Sequence, residues 1–284
     1  MRWTPGGMSG DIEDRRGAGG GGLRPTHLGL GGMIVLLLLS IIFRRDFVSL
    51  FSGAPDTGSA VSQSPPGIVP NPDEKKTAEF ESFVLDDTQK TWEGLLPAQN
   101  GLPYRHAKLV LFRDATESSC GMAQSATGPF YCPTDEKVYI DLGFYDELSG
   151  QLGAPGEFAQ AYVLAHEIGH HVQKILGITD TVQRLQLRNP AQSGPLSVRL
   201  ELQADCLAGV WANSTAQRNL IEKSDVEAGI RAVGAVGDDR LQKMTRGYVS
   251  PESFTHGSSA QRVAWFERGL ASGQTSQCNS FGNR

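Results

Sequence analysis

Ala165-His166-Glu167-Ile168-Gly169-His170-His171 is the stretch from which the rest of this 284-residue chain can be read. On a helix, His166 and His170 stand four residues apart on one face, so both imidazoles can reach one point. Glu167 then lies beside that point. This is the HExxH arrangement, in which two neutral histidines hold Zn²⁺ and the glutamate takes a proton from water that the metal activates. The neighbouring residues predict the helix. Phe158, Ala161, Tyr162, Ala165, Ile168, Gly169, Val172, Ile175 and Leu176 form a stripe of period 3.6, opened by Pro155-Gly156 and ended by Gly177. The two histidines fall at the border of the stripe, where core meets cleft.

Two ligands do not complete a catalytic zinc site, which takes three from the protein and keeps one position for water. A third histidine six residues after the second is excluded, because Gln173 and Leu176 stand where that pattern needs glycine and histidine. The remaining solution is a glutamate on a following helix, with an aspartate four residues later to fix a histidine ligand. Glu201-Leu202-Gln203-Ala204-Asp205 has this spacing. It lies on a predicted helix from Pro195 to Ala212 with Leu200, Ala204, Leu207 and Trp211 as its core face. The expected site is therefore one Zn²⁺ per chain on His166, His170 and Glu201, with Glu167 as general base and Asp205 supporting a histidine.

The N-terminal quarter has a different composition. Residues 1–27 carry a glycine run and scattered charges, with little to bury, and read as a disordered tail. Leu28 to Phe43 is uncharged and mostly apolar. With flanking residues to 47 it reads as a single transmembrane anchor, and a cleaved signal peptide or a buried helix is the weaker alternative. Residues 48–73 form a Pro/Gly/Ser linker, and residues 74–284 form the folded domain. Arginines on both sides of the span lean only slightly to an inside N-terminus, which would place the domain outside the cytoplasm.

Within the domain, a helix is expected from about Glu74 through Leu95. Strands are expected at Ala107 to Phe112 and Val138 to Ile140, with a Gly/Ser/Thr-rich loop between them. Helical patterns recur from Val226 to Met244 and from Ala260 to Leu270. The net charge of −5 and the lack of a Lys/Arg block give no reason to expect nucleic acid. Cys120, Cys132, Cys206 and Cys278 include no CxxC pair, which argues against a zinc ribbon. Cys120 with Cys132, and Cys206 with Cys278, is one of the three pairings that four cysteines allow, and spacing does not choose among them.

These motifs, with Gly128 to Pro133, Val138 to Asp141 and Phe254-Thr255-His256-Gly257-Ser258-Ser259-Ala260-Gln261-Arg262, resemble the gluzincin metallopeptidases. Among them they resemble the bacterial, membrane-anchored "putative neutral zinc metallopeptidase" family. The resemblance covers most of the chain. It implies a zincin-like α+β fold, mainly helical with a small sheet and preceded by one transmembrane helix. It also implies a peptide or protein substrate lying along a cleft strand, for which Val138 to Asp141 is the candidate. In such enzymes a donor often stands beside the oxyanion. His256 is the candidate for that role, the alternative being a structural, helix-capping histidine. His171 is expected to point away from the metal, and His106 to have no companion. The rival to a peptidase is a zincin-fold binding or scaffold module at the cell envelope, without turnover.

Overall fold

The computed structural model describes residues 1–17, 72–124 and 128–282. Met1–Arg16 with Pro70–Arg284 form one compact unit, and Gly17–Val69 form another that lies, apart from Gly17, outside the described residues. The expected anchor at 28–47 and nearly all of the expected linker at 48–73 therefore fall outside them as well. No helix among the described residues is long and apolar enough to cross a membrane.

In chain order the elements are β1 (Ile12–Asp14), α1 (Pro72–Asn100), β2 (Lys108–Phe112), β3 (Ala115–Ser118), β4 (Gly121–Gln124), β5 (Phe130–Cys132), β6 (Lys137–Asp141), α2 (Gly143–Gly150), α3 (Glu157–Ile175), α4 (Ile178–Arg188), α5 (Ser193–Gln217), α6 (Lys223–Ala235), α7 (Asp238–Arg246) and α8 (Ser259–Ser272). The fold is α+β, mainly helical with a small sheet. Helix α3 carries the HExxH stretch and packs on α5, α6 and α1. The stripe predicted for it is buried from Phe158 to Val172, and removing such apolar area from water is what holds the helix in place. Phe158 stacks on Trp211 of α5 at 5.8 Å, and Trp211 Nε1 donates to Asp87 Oδ2 of α1 at 2.8 Å. Three helices are thereby tied behind the site.

Two close approaches depend on glycine. A Cβ on Gly169 would stand 3.0 Å from the Ala204 carbonyl oxygen, so the histidine helix and the Glu201 helix meet almost backbone to backbone. Gly209 of α5 and Gly269 of α8 do the same one layer back, where a Cβ would meet Phe266 O at 2.1 Å and Cys206 O at 1.9 Å respectively. Of the three pairings that four cysteines allow, the structure has Cys120–Cys132 with Cys206–Cys278, and the second disulfide fastens the C-terminal segment to α5.

The sheet order is β1-β2-β6-β5, with β1, β2 and β6 parallel and β5 antiparallel. The structure corrects five expectations. Residues 1–16 are part of the domain rather than a free tail. Ile12, Glu13 and Asp14 pair with Leu109, Val110 and Leu111, and the Met1 ammonium lies 2.6 Å from Asp225 Oδ1. The loop that holds Cys120 and Cys132 contains the β3–β4 hairpin and β5. Val138 to Asp141 lies inside the sheet between β2 and β5, so the strand available at the cleft is β5. The pattern from Val226 to Met244 is two helices, broken where Gly237 passes Ser259 too closely for any side chain. His106 also has companions, Asp11 at 2.6 Å and Glu93 at 2.8 Å.

Candidate metal centre

Helix α3 presents His166 and His170 toward α5, and α5 presents Glu201 toward α3. One ligand atom from each of these residues lies within 4.8 Å of the others. His166 Nε2 is 3.1 Å from Glu201 Oε2, and His170 Nε2 is 3.5 Å from Glu201 Oε1. Donors on a tetrahedral zinc with bonds of about 2.0–2.1 Å stand roughly 3.3 Å apart, so the two histidine–glutamate separations match the size of that ion. The donor set, two imidazoles and one carboxylate, also matches its chemistry.

The far nitrogen of each imidazole is occupied, which fixes the tautomer that leaves Nε2 free as an acceptor. His166 Nδ1 lies 2.9 Å from Asp205 Oδ1. His170 Nδ1 lies 2.8 Å from Gln173 Oε1, and the Gln173 amide in turn donates to the Leu200 carbonyl at 2.8 Å. Asp205 is fully buried and is saturated by donors. Arg262 Nε reaches its Oδ2 at 2.8 Å, Arg262 Nη2 its Oδ1 at 3.0 Å, and the Tyr162 hydroxyl its Oδ1 at 2.6 Å. A buried carboxylate with this many donors stays charged.

Burial alone would lower the His166 pKa, but Asp205 and then Glu201 overcome it and push it up to about 10. Burial would raise Glu201, but His170 and His166 hold it well below the usual carboxylate range. A field that draws a proton onto His166 this strongly favours a cation at the same place. Glu167 differs: burial raises its carboxyl above the ordinary value despite the two histidines beside it. That is the direction a general base needs.

The site opens into a cavity of about 730 Å³ lined by Phe130, Tyr131, Phe144, Leu152, Met244 and His256, among others. His256 therefore reaches the cleft. Asp238 holds its loop by accepting the backbone N–H groups of Thr255, His256 and Gly257 at 2.7, 2.7 and 3.0 Å, and it also contacts His256 Nδ1 at 3.2 Å. His171 points away from the ligand trio, as expected. It joins the Tyr131 hydroxyl at 2.9 Å to the Arg105 carbonyl at 2.7 Å, and so fastens the cleft strand β5 to α3.

The model of the family described as "Putative neutral zinc metallopeptidase" matches residues 1–281. The chain belongs to that family. "Uncharacterized protein YpfJ" of Escherichia coli (strain K12) is 47% identical over 291 residues, covering 99% of each chain. "Uncharacterized protein Mb2605" of Mycobacterium bovis (strain ATCC BAA-935 / AF2122/97) is 42% identical over 201 residues, 67% of this chain and 66% of its own. No solved structure matches. The family match begins at residue 1, so the family unit includes β1 as well as the HExxH helix.

Three residues that support the candidate metal centre escape the sequence reading: Tyr162, Gln173 and Arg262. Tyr162 counted only as part of the apolar stripe and Gln173 only as a position where glycine was missing. Arg262, fifty-seven residues from Asp205, was seen only within the Phe254 to Arg262 segment. The one local signal was an arginine at the start of an otherwise apolar helix face, beside Val263 and Phe266.

Proposed function

We propose that the chain is a zinc-dependent endopeptidase. The observation that carries the reading is the convergence of His166, His170 and Glu201 within 4.8 Å, with Glu167 beside them and a large cleft in front. Zinc held by these three residues supplies a Lewis acid that acidifies water and polarises a carbonyl. Glu167 takes the proton from the attacking water and passes it to the leaving amine. Asp205 and Gln173 keep the two imidazoles oriented, so little reorganisation is needed during the reaction. His256, on the cleft wall, donates to the oxygen on which negative charge develops. Tyr131 and Phe130 on the edge strand β5 offer the surface along which an extended peptide lies, by strand addition.

The test is digestion of a peptide library by the full chain. Cleavage that is lost on chelation and restored by one equivalent of zinc supports the proposal. Stoichiometric zinc without cleavage of any peptide would favour the binding or scaffold module instead.

A further inference from the structure

We infer that residues 1–16 and the candidate metal site lie on the same side of any membrane met by the intervening segment, residues 17–71. The observation is the contact that brackets the segment. Arg16 Nη1 donates to the Glu74 carbonyl oxygen at 3.0 Å, across 58 residues of sequence. Chain entry and chain exit are thus one hydrogen bond apart.

Arg16 is not held by that contact alone. Strand β1 precedes it in parallel register with β2, and Arg15 N donates to the Leu111 carbonyl at 2.8 Å. Further upstream, Ser9 N donates to Ser82 Oγ at 2.7 Å, Trp3 Nε1 donates to Glu157 Oε2 at 3.1 Å, and the Met1 ammonium meets Asp225. These partners lie on α1, α3 and α6, so the first sixteen residues are built into the unit that carries the ligands.

Between the two ends lies the apolar run Leu28 to Phe43. A single crossing would set Arg16 and Glu74 on opposite faces of a hydrocarbon layer about 30 Å thick, and every contact above would break. Lending β1 to a second copy inserted in the same orientation does not escape this, because that copy's domain would lie across the membrane too. An inside N-terminus with an outside domain, the topology expected from the arginines, is incompatible with a paired β1.

The experiment uses full-length chains with one added thiol, Met8→Cys or Gly6→Cys near the N-terminus and Leu187→Cys on α4. All three positions are exposed, and a Cβ at Gly6 meets nothing within 4 Å. The cysteines of the described residues are all in disulfides, and the unsubstituted chain sets the background. Cells expressing each variant are treated with a membrane-impermeant maleimide, before and after the membrane is opened. The inference expects the N-terminal and α4 thiols to label in the same step, in soluble or membrane-bound material alike. Labelling of Met8→Cys and Gly6→Cys in one step and Leu187→Cys in the other overturns it. The outcome is independent of whether the chain cleaves peptides.

Discussion

Asp205 Oδ1 lies 2.9 Å from His166 Nδ1 while both of its oxygens are held by Arg262. One buried carboxylate thereby orients a histidine of the candidate metal centre and neutralises a buried cation. Asp205→Asn keeps the shape and removes the charge, and we expect zinc affinity to fall about 10- to 100-fold. Asp205→Ala should also cost roughly 3–5 kcal/mol of stability, because Arg262 is left unpaired in the core. Chelator competition and thermal unfolding measure the two effects. Unchanged zinc affinity in Asp205→Asn would show that the residue serves Arg262 alone.

Gly169 sets the distance between the ligand helices, with the space for its Cβ already bounded by the Ala204 backbone at 3.0–3.5 Å. Gly169→Ala should destabilise the fold by about 1–3 kcal/mol through overpacking. It should also weaken zinc binding, since His166 and His170 move away from Glu201 together. A variant as stable and as tight for zinc as the parent would show that the two helices have room to part.

Glu81 on α1 is fully buried with no hydrogen-bond partner on either carboxylate oxygen, and the Tyr145 hydroxyl bears on it without hydrogen-bond geometry. Burial raises its pKa from 4.5 to about 8. Below pH 4.5 the carboxyl is neutral in both folded and unfolded chains and adds no pH-dependent cost. As pH rises toward 8 the unfolded chain ionises while the folded one stays protonated, so stability falls, by about 5 kcal/mol at most. Glu81→Gln should remove that slope and raise the melting temperature at pH 8 more than at pH 5. Equal shifts at the two pH values would refute a neutral Glu81.

His256 is held by Asp238, whose hydrogen bond raises the imidazole pKa against the opposing effect of burial. The charged, donating form therefore persists to higher pH than for a free histidine, and activity that depends on it declines as pH climbs through the raised value. His256→Gln should lower kcat about 10²- to 10³-fold with zinc content unchanged, and should lose that alkaline limb. If only thermal stability changed, His256 would be a structural anchor for its loop.

The legible parts of this chain were those where a local pattern matched a local structure. The stripe from Phe158 to Leu176 foretold α3 because a helix burying one face must repeat every 3.6 residues, and the core side of α5 was readable for the same reason. The HExxH and ExxxD spacings each describe a single helix face, so they point to His166, His170 and Glu201, which the fold brings together. What stayed hidden depends on partners far away in sequence. Ile12-Glu13-Asp14 has no alternation of its own and becomes a strand only because β2 offers it a ladder. Helix α4 carries only a short stripe, Ile178, Val182 and Leu185, of which Val182 alone is buried, and so gives a weaker signal than α3. The break at Gly237 comes from Ser259 pressing on it, which the local helical pattern does not reveal. Arg262 and Gln173 acquire their roles only once α8 and α5 are folded against α3.

The central claim is that Glu167 moves the proton while His166, His170 and Glu201 hold the metal. Its most direct test is the cleavage rate of the zinc-loaded Glu167→Gln chain against the zinc-loaded parent on the same peptide library. The account predicts one zinc per chain in both and no measurable hydrolysis by the variant. Full activity in a zinc-loaded Glu167→Gln chain would contradict it.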